Sequence, residues 1–196
     1  MNQGKFITLY GINNIGKSTQ AHLLVEHLKR IGHKVVFLKY PLYDLAPTGQ
    51  ILNEILRGNK TQELTEEELQ TLFMQNRLDF EPQLKHFLAE GTTVVAEDYT
   101  GTGIAWGLAK GLDQAWLEQK NQHLVREDLA ILLRGKRFLQ AKEKGHLHEE
   151  NDQLIEKVDA ILMQLAKKYA WQVVDAEGSV EQVAARIFTV VEKWMG

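Results

Sequence analysis

The segment FITLYGINNIGKSTQ, residues 6–20, constrains the fold more than any other stretch of the chain. A run of strand-forming apolar residues stops at Gly11, four residues intervene, and Gly16, Lys17 and Ser18 follow at once. This is the spacing of a phosphate loop between a strand and a helix. Such a loop wraps an anion with backbone N–H groups, and glycines leave room for the close approach. The helix expected to open at Lys17 adds the positive end of its dipole. Lys17 is then placed for the β- and γ-phosphates of a nucleoside triphosphate, ATP, and the Ser18 hydroxyl for Mg²⁺. Gly11, Asn13, Asn14, Ile15, Gly16, Lys17, Ser18 and Thr19 form the expected cofactor-binding loop.

Four further segments read as strands: His33–Tyr40, Thr92–Asp98, Asp128–Leu133 and Trp171–Ala176. They are short and rich in Val, Ile or Leu with little strict alternation, as strands buried on both faces are. Helical patterns fill the intervals at Ser18–Ile31, Leu45–Leu56, Thr65–Glu90, Ile104–His123, Arg137–Lys144, Asn151–Tyr169 and Ser179–Trp194. Within the third, Leu69, Leu72, Phe73, Asn76 and Phe80 share a stripe, and Thr65 with Glu68 forms a capping box. Gly32 and Gly91 each end a helix before a strand.

Strands alternating with helices predict an α/β three-layer fold of the P-loop NTPase kind, a five-stranded parallel sheet with helices on both faces. Ligands in such sheets bind beyond the carboxyl ends of the strands. That rule points to residues 11–19, 40–43, 97–103 and the segment after Leu133. With no repeats, low-complexity tract or linker, one domain over residues 1–196 is expected.

Composition narrows the function further. The formal net charge of −3 offers no global basic footprint for nucleic acid. Zero cysteines exclude disulfides and Cys-based zinc sites. The opening MNQGKFITLY lacks the basic start and apolar stretch of a secretion signal, and no apolar run reaches membrane-spanning length, so a cytoplasmic protein without a membrane partner is expected. His146 and His148, followed by Glu149 and Glu150, lack a third ligand at suggestive spacing for a metal.

Four stretches, in this order, resemble the thymidylate kinases, small P-loop nucleoside monophosphate kinases: FITLYGINNIGKSTQ, LKYPLYDLAPTGQILNEIL, LQTLFMQNRLDFEPQLKHFLAEGTTVVAEDYTGTGIAWGLAKGL and VVDAEGSVEQVAARI. The resemblance covers nearly the whole chain. It implies that Phe73 stacks on thymine, that Arg77 hydrogen-bonds the base edge, and that Gly103 and Trp106 belong to a loop closing around sugar and base. Spacing alone allows Phe73 and Trp106 to be core and Arg77 a solvated charge.

The chain also departs from the family pattern. Where the family has Asp-Arg-Tyr this sequence reads EDY, so Glu97 takes the aspartate position and Asp98 replaces a phosphate-gripping arginine. Tyr43 stands where a second family arginine binds the acceptor phosphate, Asn13 where the loop carries an acid, and Tyr10 where a glutamate precedes the loop glycine. A monophosphate needs charge-assisted donors. Lys39 is one cation available to the substrate. Arg134, Lys136, Arg137, Lys142 and Lys144 form a second group at residues 134–150, where the family carries its lid. The bland reading of that group is a solvated basic helix face. The functional one is that Arg137 or Lys142 neutralises charge on the transferred group, a role favoured by Asn14 standing where a loop arginine would otherwise serve. Glu97 and Asp98 close a buried strand, where a carboxylate holds Mg²⁺ through water, accepts a proton from a hydroxyl acceptor, or is structural.

The expected activity is Mg²⁺-dependent transfer of the ATP γ-phosphoryl group to a nucleoside monophosphate, dTMP above others, with Lys17, Glu97 and Arg137 catalytic and Ser18 and Glu97 at the metal. Two alternatives remain at this stage: a deoxynucleoside kinase acting on a 5′-hydroxyl, and a nucleotide-binding regulator with weak transfer activity. The resemblance also implies a homodimer through the helices that follow the first and third strands.

Overall fold

The computed structural model describes residues 3–57, 64–137 and 152–196. Five parallel strands form one sheet in the order β2-β3-β1-β4-β5: β1 (Phe6–Tyr10), β2 (Val35–Lys39), β3 (Thr93–Glu97), β4 (Leu129–Arg134) and β5 (Gln172–Asp175). Every residue of β1 and β3 is buried, which explains why their sequences run apolar instead of alternating.

The described residues form seven helices: α1 (Lys17–Arg30), α2 (Thr48–Arg57), α3 (Glu66–Ala89), α4 (Thr100–Ala109), α5 (Gln114–Asn121), α6 (Asp152–Lys168) and α7 (Val180–Met195). Helices α1 and α7 pack on each other and on the strands from one side; α3, α4, α5 and α6 pack together, with α3 on β3 and α6 on β4. The Thr65–Glu68 capping box forms as expected, and Ser179 with Gln182 makes a second one at α7.

Several helix boundaries differ from the sequence expectation. Residues 104–123 do not form one helix. The chain breaks after Ala109, Gly111 takes a left-handed φ of 95°, and Asp113 caps a new helix by accepting from Trp116 N. At its other end α4 begins earlier, at Thr100. Helix α2 begins at Thr48, directly after Pro47, and not at Leu45. Arg137 lies outside any helix, and the rest of the expected helix to Lys144 falls outside the described residues, as do Lys142, His146 and His148.

The register sets the ends of the strands level. Glu97 pairs with Lys39 on one side and Leu9 on the other, so Lys39, Glu97 and the chain leaving Tyr10 meet at one rim. The candidate site is built on that rim.

Candidate active site

The loop from Gly11 to Gly16 leaves β1 through a position that admits only glycine: φ is 151°, and a Cβ would lie 2.9 Å from the Leu133 carbonyl oxygen. Asn14 takes a left-handed φ of 63°, which asparagine tolerates better than most residues. Gly16 is the N-cap of α1 and supplies no side chain to it, so the first-turn amides are not capped from that position. Lys17 is only 5% exposed and folds back over the loop, donating from Nζ to the carbonyl oxygens of Gly11 (2.9 Å) and Ile12 (3.1 Å).

Two carboxylates face this loop. Asp98 Oδ2 lies 3.7 Å from Lys17 Nζ, and its Oδ1 accepts from the Thr102 hydroxyl at 2.7 Å. Burial pushes the Asp98 carboxyl above its usual range, while the Lys17 ammonium acts to hold it down. Glu97 is 4% exposed, and its Oε1 is 3.1 Å from Lys39 Nζ, which also donates to Ser18 Oγ at 3.1 Å. An ammonium thus bridges the two oxygens expected to serve Mg²⁺. The second carboxylate oxygen, Glu97 Oε2, is buried with no hydrogen-bond partner among the described residues. Oxygen donors already gathered around one positive charge, with a spare buried acceptor, suit a hard divalent cation.

These groups open into a cavity of about 570 Å³, within the range of roughly 300–1,000 Å³ that small-molecule sites occupy. Its lining brings together Asn13, Asn14, Ile15, Gly16, Lys17, Ser18 and Thr19 with Lys39, Tyr43, Phe73, Arg77, Glu97, Asp98, Gly103 and Trp106. Gly11 lies behind the loop and Arg137 at its flank; neither lines the cavity. Arg137 Nε donates to the Asn13 carbonyl oxygen at 3.3 Å and Nη1 to Asp152 Oδ1 at 2.8 Å, while Nη2 is buried without a partner among the described residues.

The far wall comes from α3 and α4. Arg77 is not the solvated charge that spacing allowed: it is 5% exposed, and its Nη1 donates to Asn121 Oδ1 at 3.2 Å. A Cβ on Gly103 would stand 2.8 Å from Arg77 Nη2, so the bare backbone of α4 is what admits the guanidinium. Phe73 is half-buried on the same face of α3 and lines the cavity. Trp106 does both jobs that its sequence allowed, packing in the core and lining the cavity.

Sequence reasoning missed Gln70, Arg57 and Tyr99 as further parts of the wall. It also missed the use of Tyr10. The Tyr10 ring stacks on Trp171 (centroids 4.3 Å apart), and its hydroxyl accepts from Gly101 N at 3.3 Å and donates to Glu127 Oε1 at 2.8 Å. That bond ties the end of β1 to the first turn of α4. No local pattern announces it, because the partners lie 91 and 117 residues away.

Comparison with known proteins agrees with this geometry. A sequence model of the family described as "Thymidylate kinase" matches residues 9–187. Human thymidylate kinase is 31% identical over 92% of this chain and 86% of its own length. The thymidylate kinase of Schizosaccharomyces pombe is 29% identical over 97% of this chain and 92% of its own. The solved structure of thymidylate kinase from Candida albicans superimposes with a TM-score of 0.82 at 26% identity, covering 97% of this chain and 92% of that one. With the family match running from the end of β1 into α7 and enclosing the whole cavity, the chain belongs to the thymidylate kinase family.

Proposed function

We propose that this chain transfers the γ-phosphoryl group of ATP to the 5′-phosphate of dTMP, giving dTDP and ADP. The observation that carries the proposal is that one cavity joins the phosphate loop to the wall of Phe73 and Arg77. A triphosphate seated at one end and a base held at the other leave the acceptor phosphate between them. An acceptor oxygen then bonds to the γ-phosphorus as the bond to the β,γ-bridging oxygen breaks, and that oxygen leaves on ADP.

The protein's share is positioning and charge neutralisation. The uncapped first-turn amides of α1 and the Lys17 ammonium receive the β- and γ-phosphates, which draw Lys17 from the loop carbonyls it holds. Ser18 and Glu97 would hold Mg²⁺, with Lys39 giving up its place between them. When bound, that ion would supply positive charge to offset what develops on the phosphates. Phe73 stacks on the thymine ring, Arg77 donates to its edge, and Gly103 and Trp106 shape the space around the sugar. Asn13 hydrogen-bonds a sugar hydroxyl, and Arg137, anchored beside the loop on Asn13, neutralises the transferred group. Residues 1–196 act as one kinase domain, working in the cytosol as a homodimer. Among the described residues no helix is long and apolar enough to cross a membrane.

A coupled assay supplying ATP with dTMP, dUMP, thymidine and other nucleosides tests the assignment. Turnover highest with dTMP is expected; turnover on thymidine but not on dTMP overturns it, and sedimentation of the purified chain tests the dimer.

A further inference from the structure

The acceptor in the function proposed above carries a dianionic phosphate, and this inference rests on that reading. A phosphate that must approach the γ-phosphoryl group meets a second polyanion, so it needs cationic donors of its own. Among the described residues lining the cavity the cations are Lys17, Lys39, Arg57 and Arg77. Lys17 is folded onto the loop and faces Asp98. Lys39 bridges Ser18 and Glu97 and, once Mg²⁺ takes its place there, is the other cation open to the acceptor phosphate. Arg77 is buried in the wall, fixed between Asn121 and the bare Gly103. Asp98 adds a negative charge to the space the phosphate would enter.

Arg57 is placed differently. It is the last residue of α2, where the carbonyl end of a helix favours a cation. Its guanidinium carbon lies 4.5 Å from the centroid of the Tyr43 ring, and its Nη1 donates to Asn53 Oδ1 one turn back at 3.3 Å. Both Tyr43 and Arg57 line the cavity, and Arg57 is an exposed residue where Arg77 is buried. A guanidinium seated on an aromatic ring keeps a planar fork of donors that matches phosphate oxygens two at a time.

We infer that Arg57 grips the 5′-phosphate of the acceptor, with Tyr43 as the platform that orients it. The pair is the element that distinguishes a nucleoside monophosphate from its nucleoside. Tyr43 serves by aiming a neighbour's charge and carries none itself.

Calorimetric titration of the full chain with dTMP and with thymidine tests this. Arg57→Ala should weaken dTMP about 10- to 100-fold, the worth of losing a charge-assisted contact, and leave thymidine within about twofold, since base contacts are untouched. Arg57→Gln, which keeps the helix and much of the side-chain volume, should read the same if the alanine variant folds poorly. Placing a cation on the platform itself, Tyr43→Arg in the Arg57→Ala background, should restore the preference for dTMP. If wild type prefers dTMP and Arg57→Ala or Arg57→Gln keeps that preference, or loses both ligands equally, the role of Arg57 is overturned while the acceptor assignment stands. If wild type itself binds thymidine as tightly as dTMP, the monophosphate acceptor and Arg57's role fall together.

Discussion

The two ends of the cavity are made by different means. The donor end is made chiefly by one contiguous segment, residues 13–20, in which backbone conformation and a helix terminus supply most of the chemistry, with Gly178 and Val180 beside it. The acceptor end is assembled from side chains on the loop after β2, α2, α3, β3 and α4. A site made of backbone is set by a short string of residues and tolerates little variation. One made of side chains on separate elements can lose a charge at one point and regain it at another. The contrast between Asp98, Tyr43 and Arg57 is of that second kind.

Substitutions at the two ends should therefore behave differently. Lys17→Ala removes the one side-chain ammonium that, among the described residues, lies over the loop carbonyls, and kcat should fall by about 10³-fold or more while the circular dichroism spectrum and thermal midpoint stay close to wild type. Activity near wild type would erase the distinction between the ends. At the acceptor end the loss should be graded and appear in KM. Phe73→Ala is expected to cost about 1–3 kcal/mol of base stacking, roughly a 5- to 150-fold rise in the KM for dTMP with the KM for ATP unchanged. An unchanged KM for dTMP would return Phe73 to a packing role.

The linkage between the ends is open to test through Tyr10. Tyr10→Phe keeps the stack on Trp171 and deletes the hydroxyl, leaving the buried Gly101 N–H without the acceptor it has now. Stability should fall by about 1–3 kcal/mol, read from the denaturant midpoint at constant slope. If the two ends depend on that bond for their relative placement, kcat should fall with it; unchanged kcat would make the ends independent.

The smallest effect belongs to a clip outside both ends. Burial acts to raise the Glu118 carboxyl, but hydrogen bonds from Lys168, Tyr169 and Gln114 outweigh it and bring its pKa down to about 2. Because the folded value lies below the unfolded one, the clip's stabilisation is present above the ordinary carboxylate range and is lost as pH falls toward 2. The group is mostly solvated, so Glu118→Gln should cost under about 1 kcal/mol at neutral pH and nothing near pH 2, without altering turnover. A pH-independent loss would show that the clip acts through packing alone.

How much could be read beforehand follows the same division. The phosphate loop, the strand set and the two carboxylates at the end of β3 were legible, because contiguous spacing and buried apolar runs carry them. Phe73 and Arg77 could be selected by resemblance, while the spacing on α3 left them open; the burial of Arg77 excludes the solvated charge that spacing allowed. The break between α4 and α5 was hidden because apolar residues continue through it, and only Gly111 and the Asp113 cap mark it. Arg57 was illegible: a single arginine at the end of a helix has no signature until the fold sets it over Tyr43.

The contact between Gly101 and Trp171 carries a consequence for descent. A Cβ at 101 would sit 2.4 Å from the indole, and the same indole lies flat on the Tyr10 ring. Bulk at 10 and 171 therefore forbids bulk at 101. Relatives bearing a larger residue at 101 should have shed an aromatic at one of the other two, so the trio should be inherited, and exchanged, as a single unit.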